Sequence, residues 1–417
     1  MDAFFVLLCM SFIFVMFSQC YYRKTKHSNG QAAELPPGPK PWPLVGCLPT
    51  MLTTNMPTYK WIHAVMKQFN TEIACIRLGS TYIIPVSSPE IALEFLKTND
   101  SIFASRSCIS NTVGMLSHGY LTIALSPMGE QWRKMRRILT SEIFNPSTLH
   151  RMLGHRNIEA DTLLRYVFSQ TRVKDDILDI LISFKDENAK SLLSVAEIKA
   201  QITELQIAAI DNPSNIVEWA MAELMNQPKI LEKAMEELDK VIGRERVVEE
   251  SDIPNLKYLT SCIRETFRIH QFSPFNLPHV SNSDIIIAGY FIPKGSEVFL
   301  SRIGLGRNPK TWEDPMKFSP ERHMNDRTTE LGLLEPNLRF ITFSRGRRGC
   351  LGSSLGTTIT MMLFARLLQG FSWSLLPGIT KIDFSQADEL SLPKPLHLLA
   401  KPRLSHVMYP PSSLPLP

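Results

Sequence analysis

The segment FITFSRGRRGCLG, residues 340–352, constrains the fold of this chain more than any other. It sets a single cysteine, Cys350, among Gly346, Gly349 and Gly352 and beside three arginines. Glycines let the backbone turn sharply and approach a bound group, while nearby amides and guanidinium groups stabilise an anionic sulfur. The pattern therefore predicts that Cys350 is a thiolate ligand. The alternative for a lone cysteine is a small buried side chain near a basic surface.

The composition limits the class of protein. The chain has 417 residues, 44% of them hydrophobic, which is enough for one large globular domain. Its seven cysteines are odd in number and contain no Cys-x-x-Cys pair, which argues against a disulfide framework or a zinc site. The net charge is only +5 and no lysine or arginine tract is long, so we expect no nucleic-acid binding.

An apolar run near the N-terminus predicts a membrane anchor. Residues 3–18, AFFVLLCMSFIFVMFS, carry no charge, and the basic run RKTKH follows them. A cleaved signal peptide is the alternative, but its usual charge order is reversed because Asp2 precedes the apolar run. The positive charges predict a single-pass span with the main domain on the cytosolic side. The predicted regions are an anchor (1–22), a basic and proline-rich hinge (23–46), a main domain (47–403) and a flexible tail (404–417).

The remaining pattern predicts a mostly α-helical domain with small β-sheets. Alternating apolar residues at 71–87 and 285–300 predict two hairpins of strands. A long helix should begin at Ser194, where Glu197 completes a capping box, and run to about Met225. Two further helices are expected, one from Lys229 to Gly243 and one from Ser251 or Asp252 onward with Leu256, Leu259, Ile263 and Phe267 along one face.

Three further motifs combine charge with helical spacing. Glu265 and Arg268 lie three residues apart, so both charges share one helix face. Trp132 and Arg136, in QWRKMRR, point the same way from one helix. The segment FSPERH contributes Arg322. Taken alone, such charges form ordinary surface ion pairs of little energetic consequence.

Together with the motif Phe343-x-x-Gly346-x-Arg348-x-Cys350-x-Gly352, these motifs resemble those of the cytochrome P-450 family of haem-thiolate monooxygenases, in the same order. The resemblance implies the α-rich cytochrome P-450 fold with haem b as cofactor. It makes Cys350 the axial ligand of the haem iron, where a thiolate favours O–O bond cleavage. Glu265, Arg268 and Arg322 are implied to lock the haem-binding core. The residues implied to bind the cofactor are Cys350, Arg348, Trp132, Arg136, His279, Phe343 and Gly346, with Arg348, Trp132, Arg136 and His279 matched to haem propionates.

The long helix contains a proline, Pro213, within AAIDNPSN. A mid-helix proline cannot bond the carbonyl four residues earlier, here Ala209, at a cost of about 3 kcal/mol in an ordinary helix. We therefore predict a kink that frees the Ala209 carbonyl and the Asn212 amide to order water or dioxygen. The alternative is a kink that only fits around the cofactor. Asn212 stands where the family has a threonine, while Asp211 keeps the family's acid.

The strings AAIDNPSN, FRIHQFSPFNLPHVS, PERHM and FSRGRRGC are similar to the plant subgroup that converts amino acids to aldoximes. The resemblance implies two successive N-hydroxylations, each consuming O2 and NADPH, followed by loss of water and CO2. This chemistry serves plant specialised (defence) metabolism, in glucosinolate or cyanogenic glucoside biosynthesis. Asp211 and Asn212 are implied to deliver protons. The residues implied to face the substrate are Ser273, Phe275, Asn276 and Leu277.

The electrons must come from outside the chain, because no glycine-rich nucleotide fingerprint is present. We expect a separate NADPH-cytochrome reductase to deliver them. Its predicted docking face consists of Arg133, Lys134, Arg137 and Arg345. The expected partners are this reductase, an amino-acid substrate, O2 and the membrane. The expected location is the endoplasmic reticulum membrane, with the catalytic domain cytosolic.

Two features depart from the subgroup. Gln271 and Arg345 stand where it usually has proline and threonine, which could adjust the haem pocket. Near 170–175 the chain lacks a segment the size of a small domain, which in the family covers the distal pocket. We therefore expect impaired haem binding and weak turnover. The alternatives are an inactive haem-protein variant, from alternative splicing or an incomplete gene model, and a C-hydroxylating monooxygenase of another substrate.

Overall fold

The computed structural model describes residues 33–107, 114, 117, 119–153, 192–271, 273–324, 332–384, 392 and 394–409. The predicted anchor at 1–22, the first part of the hinge and the junction at 170–175 lie outside these residues. Among the residues that are described, no helix is both long enough and apolar enough to cross a membrane.

Helices dominate the described chain, as predicted. The α-helices are α1 Leu48–Thr53, α2 Thr58–Gln68, α3 Pro89–Leu93, α4 Glu130–Ile138, α5 Pro146–Arg151, α6 Val195–Asn226, α7 Pro228–Val241, α8 Lys257–Ile269, α9 Arg302–Gly306, α10 Glu321–Met324 and α11 Ser353–Gly370. Helix α3 continues as a π-helical turn at Glu94–Thr98, and α4 does so at Leu139–Ile143. Short 3-10 helices lie at Glu250–Asn255, Gly346–Arg348 and His406–Met408.

The strands form small sheets, also as predicted. They are β1 Ile76–Leu78, β2 Thr81–Val86, β3 His279–Val280, β4 Ile285–Ile287, β5 Tyr290–Ile292, β6 Glu297–Leu300, β7 Phe371–Leu375 and β8 Leu398–Pro402. The largest sheet has the order β1-β2-β6-β3, with β2 and β6 parallel. Both predicted hairpins are present, as the antiparallel pairs β1–β2 and β4–β5. Strand β3 pairs His279 with Val298 of β6, which fixes the position of this histidine.

The long helix α6 begins and ends within one residue of its predicted bounds. Ser194 is the N-cap, and its hydroxyl accepts the Glu197 N–H. The Glu197 carboxylate in turn accepts the Ser194 N–H at 2.8 Å, which completes the predicted capping box. Residues 206–211 of this helix are exposed, whereas Ile216 and most residues after it are buried.

Pro213 does not interrupt α6, so the predicted kink does not break the helix. Two neighbouring side chains bond the carbonyls on either side of Ala209. Asn212 Nδ2 donates to the Ala208 carbonyl at 3.1 Å, and Ser214 Oγ donates to the Ile210 carbonyl at 2.7 Å. One N–H of the Asn212 amide is therefore bonded inside the helix, and its role in ordering water or dioxygen stays a prediction.

The main core lies between α6, α8 and α11. Leu224 of α6, Leu259 of α8 and Phe364 of α11 belong to one buried cluster. The predicted buried face of α8 is correct, because Leu256, Leu259, Ile263 and Phe267 all belong to this cluster.

The predicted start of α8 near Ser251 is wrong. Residues Glu250–Asn255 form a 3-10 helix, and α8 begins only at Lys257. Pro254 lies in this stretch, and a proline has no N–H with which to continue α-helical bonding.

The predicted boundary of the tail at 404 is too early, because the residues up to Tyr409 pack on the domain. The Tyr409 hydroxyl donates to the Gly370 carbonyl and accepts the N–H groups of Arg403 and Leu404 at 2.9 and 3.0 Å. These bonds join the end of β8 to the end of α11. Residues 410–417 lie outside the described chain.

Candidate haem-thiolate site

The loop that carries Cys350 follows the turn Gly346–Arg348. The Cys350 N–H donates to the Phe343 carbonyl at 2.8 Å, so the loop folds back on itself. Gly346 has a φ of +76°, and a Cβ at this position would collide with the Leu96 carbonyl oxygen. The turn therefore requires glycine. The loop leaves the Cys350 side chain exposed, so it is not an ordinary buried core cysteine.

The positive charge that acts on the Cys350 sulfur comes from a residue that no sequence motif singles out. Although the side chain reaches solvent, desolvation by the surrounding protein raises the pKa of Cys350. The backbone of Gly352 and the charge of Arg302 oppose this rise. The motif's own Arg345 and Arg348 instead donate to backbone carbonyls. Stabilisation of the sulfur by these two arginines, as the sequence suggests, is therefore not observed.

Trp132 lies between two of the predicted propionate ligands. The guanidinium carbon of Arg348 is 4.7 Å from the centre of the Trp132 rings, and that of Arg136 is 5.5 Å away. Arg136 Nη1 also donates to the Arg347 carbonyl at 2.7 Å. The indole is buried, yet its Nε1 has no hydrogen-bond partner among the described residues.

His279 is buried, and of these two arginines Arg348 acts on it. Its Nδ1 lies 2.9 Å from the Phe103 carbonyl, which can only accept, so Nδ1 carries the proton. Its Nε2 is buried with no partner in the described chain. Burial lowers the pKa of His279, and the charges of Arg106 and Arg348 lower it further.

Arg106 lies near Arg348 and His279, and no sequence motif identified it. It donates to the carbonyls of Ala124, Leu277 and Pro278, the last at 2.7 Å. Burial, followed by the charge of Arg348, lowers the pKa of Arg106 to about 9. Its position could not be read from the sequence, because both segments that surround it are distant along the chain.

These residues fit a bound haem. Three guanidinium groups, those of Arg106, Arg136 and Arg348, converge where burial disfavours their charge. Glu204 offsets part of this cost for Arg106 and Arg348. A further acidic group there would offset more of it and accept the unpaired Trp132 N–H. Haem propionates have this chemistry, and Cys350 offers a sulfur ligand for the iron.

Glu265 is the centre of a buried charge cluster. Arg268 makes two hydrogen bonds to its carboxylate, both at 2.8 Å, and Arg322 makes one at 3.0 Å. His323, the last residue of the segment FSPERH, had no predicted role and contacts the carboxylate at 2.9 Å. Burial alone would raise the pKa of Glu265, but the bonds from Arg268 and His323 lower it to about 2. The structure thus brings the three predicted residues together and adds a fourth.

The two candidate proton donors differ in their surroundings. Asp211 is exposed on α6, whereas Asn212 is half-buried and bonded to Ala208. Another acid on the same helix, Glu204, was not predicted to have a role. Its Oε1 accepts the Ala124 N–H at 2.8 Å, and burial raises its pKa.

In the segment predicted to face the substrate, some residues contact the rest of the protein and one is exposed to solvent. Ser273 donates to the Phe275 carbonyl at 2.8 Å, and the Phe275 ring stacks on His63 at 5.1 Å. Leu277 is 45% exposed. Asn276 is buried, and both groups of its amide bond inside the protein. Its predicted contact with substrate therefore does not fit its placement.

Gln271 and Arg345, the two residues that differ from the subgroup, both donate hydrogen bonds to nearby backbone carbonyls. The Gln271 amide donates to the Phe267 carbonyl, which closes the last turn of α8. Arg345 Nη1 donates to the Pro336 carbonyl at 2.5 Å. Because this bond engages its guanidinium, Arg345 is less available for docking a partner than the sequence suggests.

Three features together indicate a haem-thiolate protein. They are the loop that presents Cys350, the buried arginines that fit haem propionates, and the buried cluster of Glu265, Arg268 and Arg322. A model of the family described as Cytochrome P450 matches residues 36–173 and 165–400. The chain belongs to this family. The two matched stretches meet at residues 165–173.

Several curated relatives align with this chain over nearly its whole length. It is 42% identical to the tryptophan N-monooxygenase of Prunus mume over 518 aligned positions, which cover 97% of each protein. Identity is 40% with the phenylalanine N-monooxygenase of Arabidopsis thaliana, covering 90% of this chain and 92% of that relative. It is 39% with the tyrosine N-monooxygenase of Sorghum bicolor, covering 91% and 88%.

The fold is that of solved members of the family. A zebrafish cytochrome P450 structure with progesterone superposes with a TM-score of 0.71 at 21% identity. The match covers 84% of this chain and 100% of that chain. At this level of identity the likeness shows the fold alone, and that fold agrees with the α-rich prediction.

Proposed function

We propose that this protein is a haem-dependent monooxygenase that hydroxylates the amino group of an amino acid twice and releases the aldoxime. The supporting observation is its 39–42% identity to amino-acid N-monooxygenases over at least 90% of its length. Each hydroxylation consumes O2 and NADPH, and loss of water and CO2 then leaves the aldoxime. Such a product belongs to plant specialised metabolism, at the entry to glucosinolates or cyanogenic glucosides.

The chain's own residues have separable roles in this reaction. Haem, when bound, supplies the activation of O2. Cys350 would hold its iron, while Arg106, Arg348, Arg136 and the Trp132 N–H would hold its propionates. Asp211, exposed on α6, is suited to pass protons from solvent, because a carboxylate there stays in contact with water. Asn212 would shape the helix next to it rather than carry a proton.

The substrate side chain is proposed to be aliphatic or aromatic. The relatives are named for tryptophan, phenylalanine, isoleucine, tyrosine and valine at 39–42% identity, so identity does not choose among them. Leu277 is the apolar side chain of the segment 273–277 that stays exposed and is suited to contact such a substrate. Phe275 packs against His63 and Phe299 and is less suited to contact the substrate.

The reaction can be tested directly. A full-length form that carries the missing segment, with a plant reductase and NADPH, is incubated with a mixture of amino acids, and the products are analysed by mass spectrometry. We expect one or a few aldoximes and none from the Cys350→Ala variant, which lacks the iron ligand. Products hydroxylated only on carbon would contradict the N-hydroxylase proposal and favour a C-hydroxylating enzyme.

A second candidate is a haem protein with little turnover. The family model matches in two stretches that overlap at 165–173, and the alignment with the Prunus mume enzyme is 518 positions long against 417 residues in this chain. That relative therefore has at least 101 positions without a counterpart here. We propose that these positions form the cover of the substrate pocket, absent through splicing or an incomplete gene model.

A matched pair of proteins separates the two candidates. One is the 417-residue chain, and the other carries the relative's segment between Gln170 and Thr171. We expect aldoxime formation by the shorter chain to be below about one tenth of that by the longer one, because an open pocket cannot hold substrate in a productive pose. Equal rates would show that the segment is dispensable. Sequencing the transcript across these two codons shows which form the plant makes.

We further propose that the protein sits at the endoplasmic reticulum membrane through residues 1–22 and receives electrons from NADPH-cytochrome reductase. The segment at 42–52 supports a location next to the membrane. Its large apolar side chains Trp42, Leu44 and Leu52 are 60%, 44% and 75% exposed. Arg133 and Arg137 on α4 are exposed, as a docking face requires. Lys134 is less suited, because its Nζ pairs with Glu197 at 2.7 Å.

Reversing two exposed charges tests the docking face. The double variant Arg133→Glu and Arg137→Glu should slow reduction of the haem by at least about threefold at low salt, because steering of an acidic partner is lost. The difference should shrink as salt is added. The matched control reverses Lys381 and Lys401, which are exposed on a different part of the chain. Equal reduction rates in the two double variants would contradict the proposed face.

A further inference from the structure

Arg302, the first residue of α9, lies buried between the segment 273–277 and the loop that leads to Cys350. Its Nη1 donates to the Ile341 carbonyl at 3.0 Å. Its Nη2 donates to Asn276 Oδ1 at 3.3 Å. One buried guanidinium therefore joins two segments that are remote in sequence.

The connection continues from Asn276 into the loop. Asn276 Nδ2 donates to Ser344 Oγ at 2.9 Å. Ser344 has a φ of +61°, a left-handed conformation that costs an L-residue on the order of 1 kcal/mol and must be held by its surroundings. Ser344 directly follows Phe343, whose carbonyl accepts the Cys350 N–H. The bonds of Arg302 thus end at the backbone that shapes the Cys350 turn.

We propose that Arg302 is a positioning residue for Cys350: it fixes the loop, through Ile341 and through Asn276 and Ser344, so that the sulfur is presented correctly before haem binds. This role concerns the cysteine loop and does not depend on which substrate the enzyme uses. Its buried charge is a second contribution. Burial lowers the pKa of Arg302 to about 10, so the group stays positive at neutral pH and attracts an anionic sulfur.

Removal of the guanidinium should loosen the loop selectively. The Ile341 carbonyl and Asn276 Oδ1 would each lose a charged donor in a buried place, and an unsatisfied buried acceptor costs about 1–3 kcal/mol. Ser344 would then be free to leave its strained conformation. Openings that expose the Cys350 and Gly349 amides, which now bond Phe343 and Gly346, should become more frequent.

Hydrogen exchange on the haem-free 417-residue protein tests this. Peptides covering 341–350 are followed by mass spectrometry in the parent, Arg302→Met, Arg302→Lys and the control Arg307→Met. Arg307 lies at the end of the same helix but donates to the Ile269 carbonyl of α8. We expect exchange in 341–350 to rise by about tenfold or more in Arg302→Met, less in Arg302→Lys, and not in Arg307→Met.

Two further measurements keep the test decisive. Asn276→Leu breaks the bond to Ser344 while leaving the Arg302 charge, so it should loosen the same peptides even if Arg302→Met does not fold. With haem added, the share of the reduced, CO-bound protein that shows thiolate ligation should fall in Arg302→Met and recover in part in Arg302→Lys. Exchange within about twofold of the parent in both Arg302→Met and Asn276→Leu would overturn the proposal.

Discussion

Replacing Cys350 with alanine should remove the thiolate signature from the spectrum of the reduced, CO-bound protein. Cys350 is exposed at the end of a constrained turn, whereas the other described cysteines, Cys47, Cys75 and Cys262, are buried. None of these three can move to the iron without unfolding its surroundings. The measurement is a CO difference spectrum normalised to bound haem. A spectrum that does not change would rule out Cys350 as the ligand.

Two controls separate loss of the ligand from loss of the fold. Cys75→Ala removes a thiol whose pKa burial raises to about 12, and it should leave the thiolate signature intact. Cys350→Ser preserves the size of the side chain but not the sulfur, so it should resemble the alanine variant in its spectrum. Circular dichroism of each variant reports whether the helices are retained.

Replacing Glu265 with glutamine should destabilise the protein by about 3–5 kcal/mol, because it leaves buried Arg268 without its anionic partner. Glutamine has the same size, so the loss is one of charge and hydrogen bonding. The measurement is the free energy of unfolding from denaturant titration. Glu321→Gln is the matched control, since its pair with Lys233 is about half exposed and should contribute far less to stability.

The Glu265 carboxylate should also make the stability of the protein depend on pH. The pKa of Glu265 is lowered from 4.5 to about 2 on folding, so its contribution is present above about pH 4.5 and is lost as the pH falls toward 2. His323, whose pKa is lowered by burial, begins to cost stability as the pH falls below 6.5. The unsubstituted protein should therefore lose stability as the pH falls below 6.5, through His323, and again as it falls from about 4.5 toward 2, through Glu265. A Glu265→Gln variant with the same acid profile as the parent would contradict the assignment.

Local rules made much of the fold predictable. The capping box of Ser194 and Glu197 fixed the start of α6, because both partners lie within one turn. Positive φ at Gly346 follows from a turn that no other residue can make. The start of α8 was misjudged because Pro254 favours a 3-10 turn over a full helix, a choice that the apolar spacing alone does not reveal.

The cofactor site was predictable in its motifs and not in its long-range contacts. Trp132, Arg348 and Cys350 could be named from spacing and resemblance. The role of Arg302 could not, because its partners Asn276 and Ile341 are 26 and 39 residues away and meet it only in the folded core. The orientation of Asn276 was missed for the same reason.

Glu197 links the chain on either side of residues 165–173, where the two stretches matched by the family model overlap. Its carboxylate accepts from Lys134 Nζ at 2.7 Å and from Gln131 Nε2 at 3.2 Å, while also capping α6. The contact of Lys134 with Glu197 therefore holds the two ends of the intervening chain together, and each doubling of the length of such a span costs only about 0.6 kcal/mol of closure entropy. A hundred residues gained or lost near 165–173 would change stability by roughly 1 kcal/mol through this span. The described helices on either side, α4 and α6, need not move when this stretch changes length, so the proposed pocket cover can be altered while Trp132 and Arg136 of α4 stay in place.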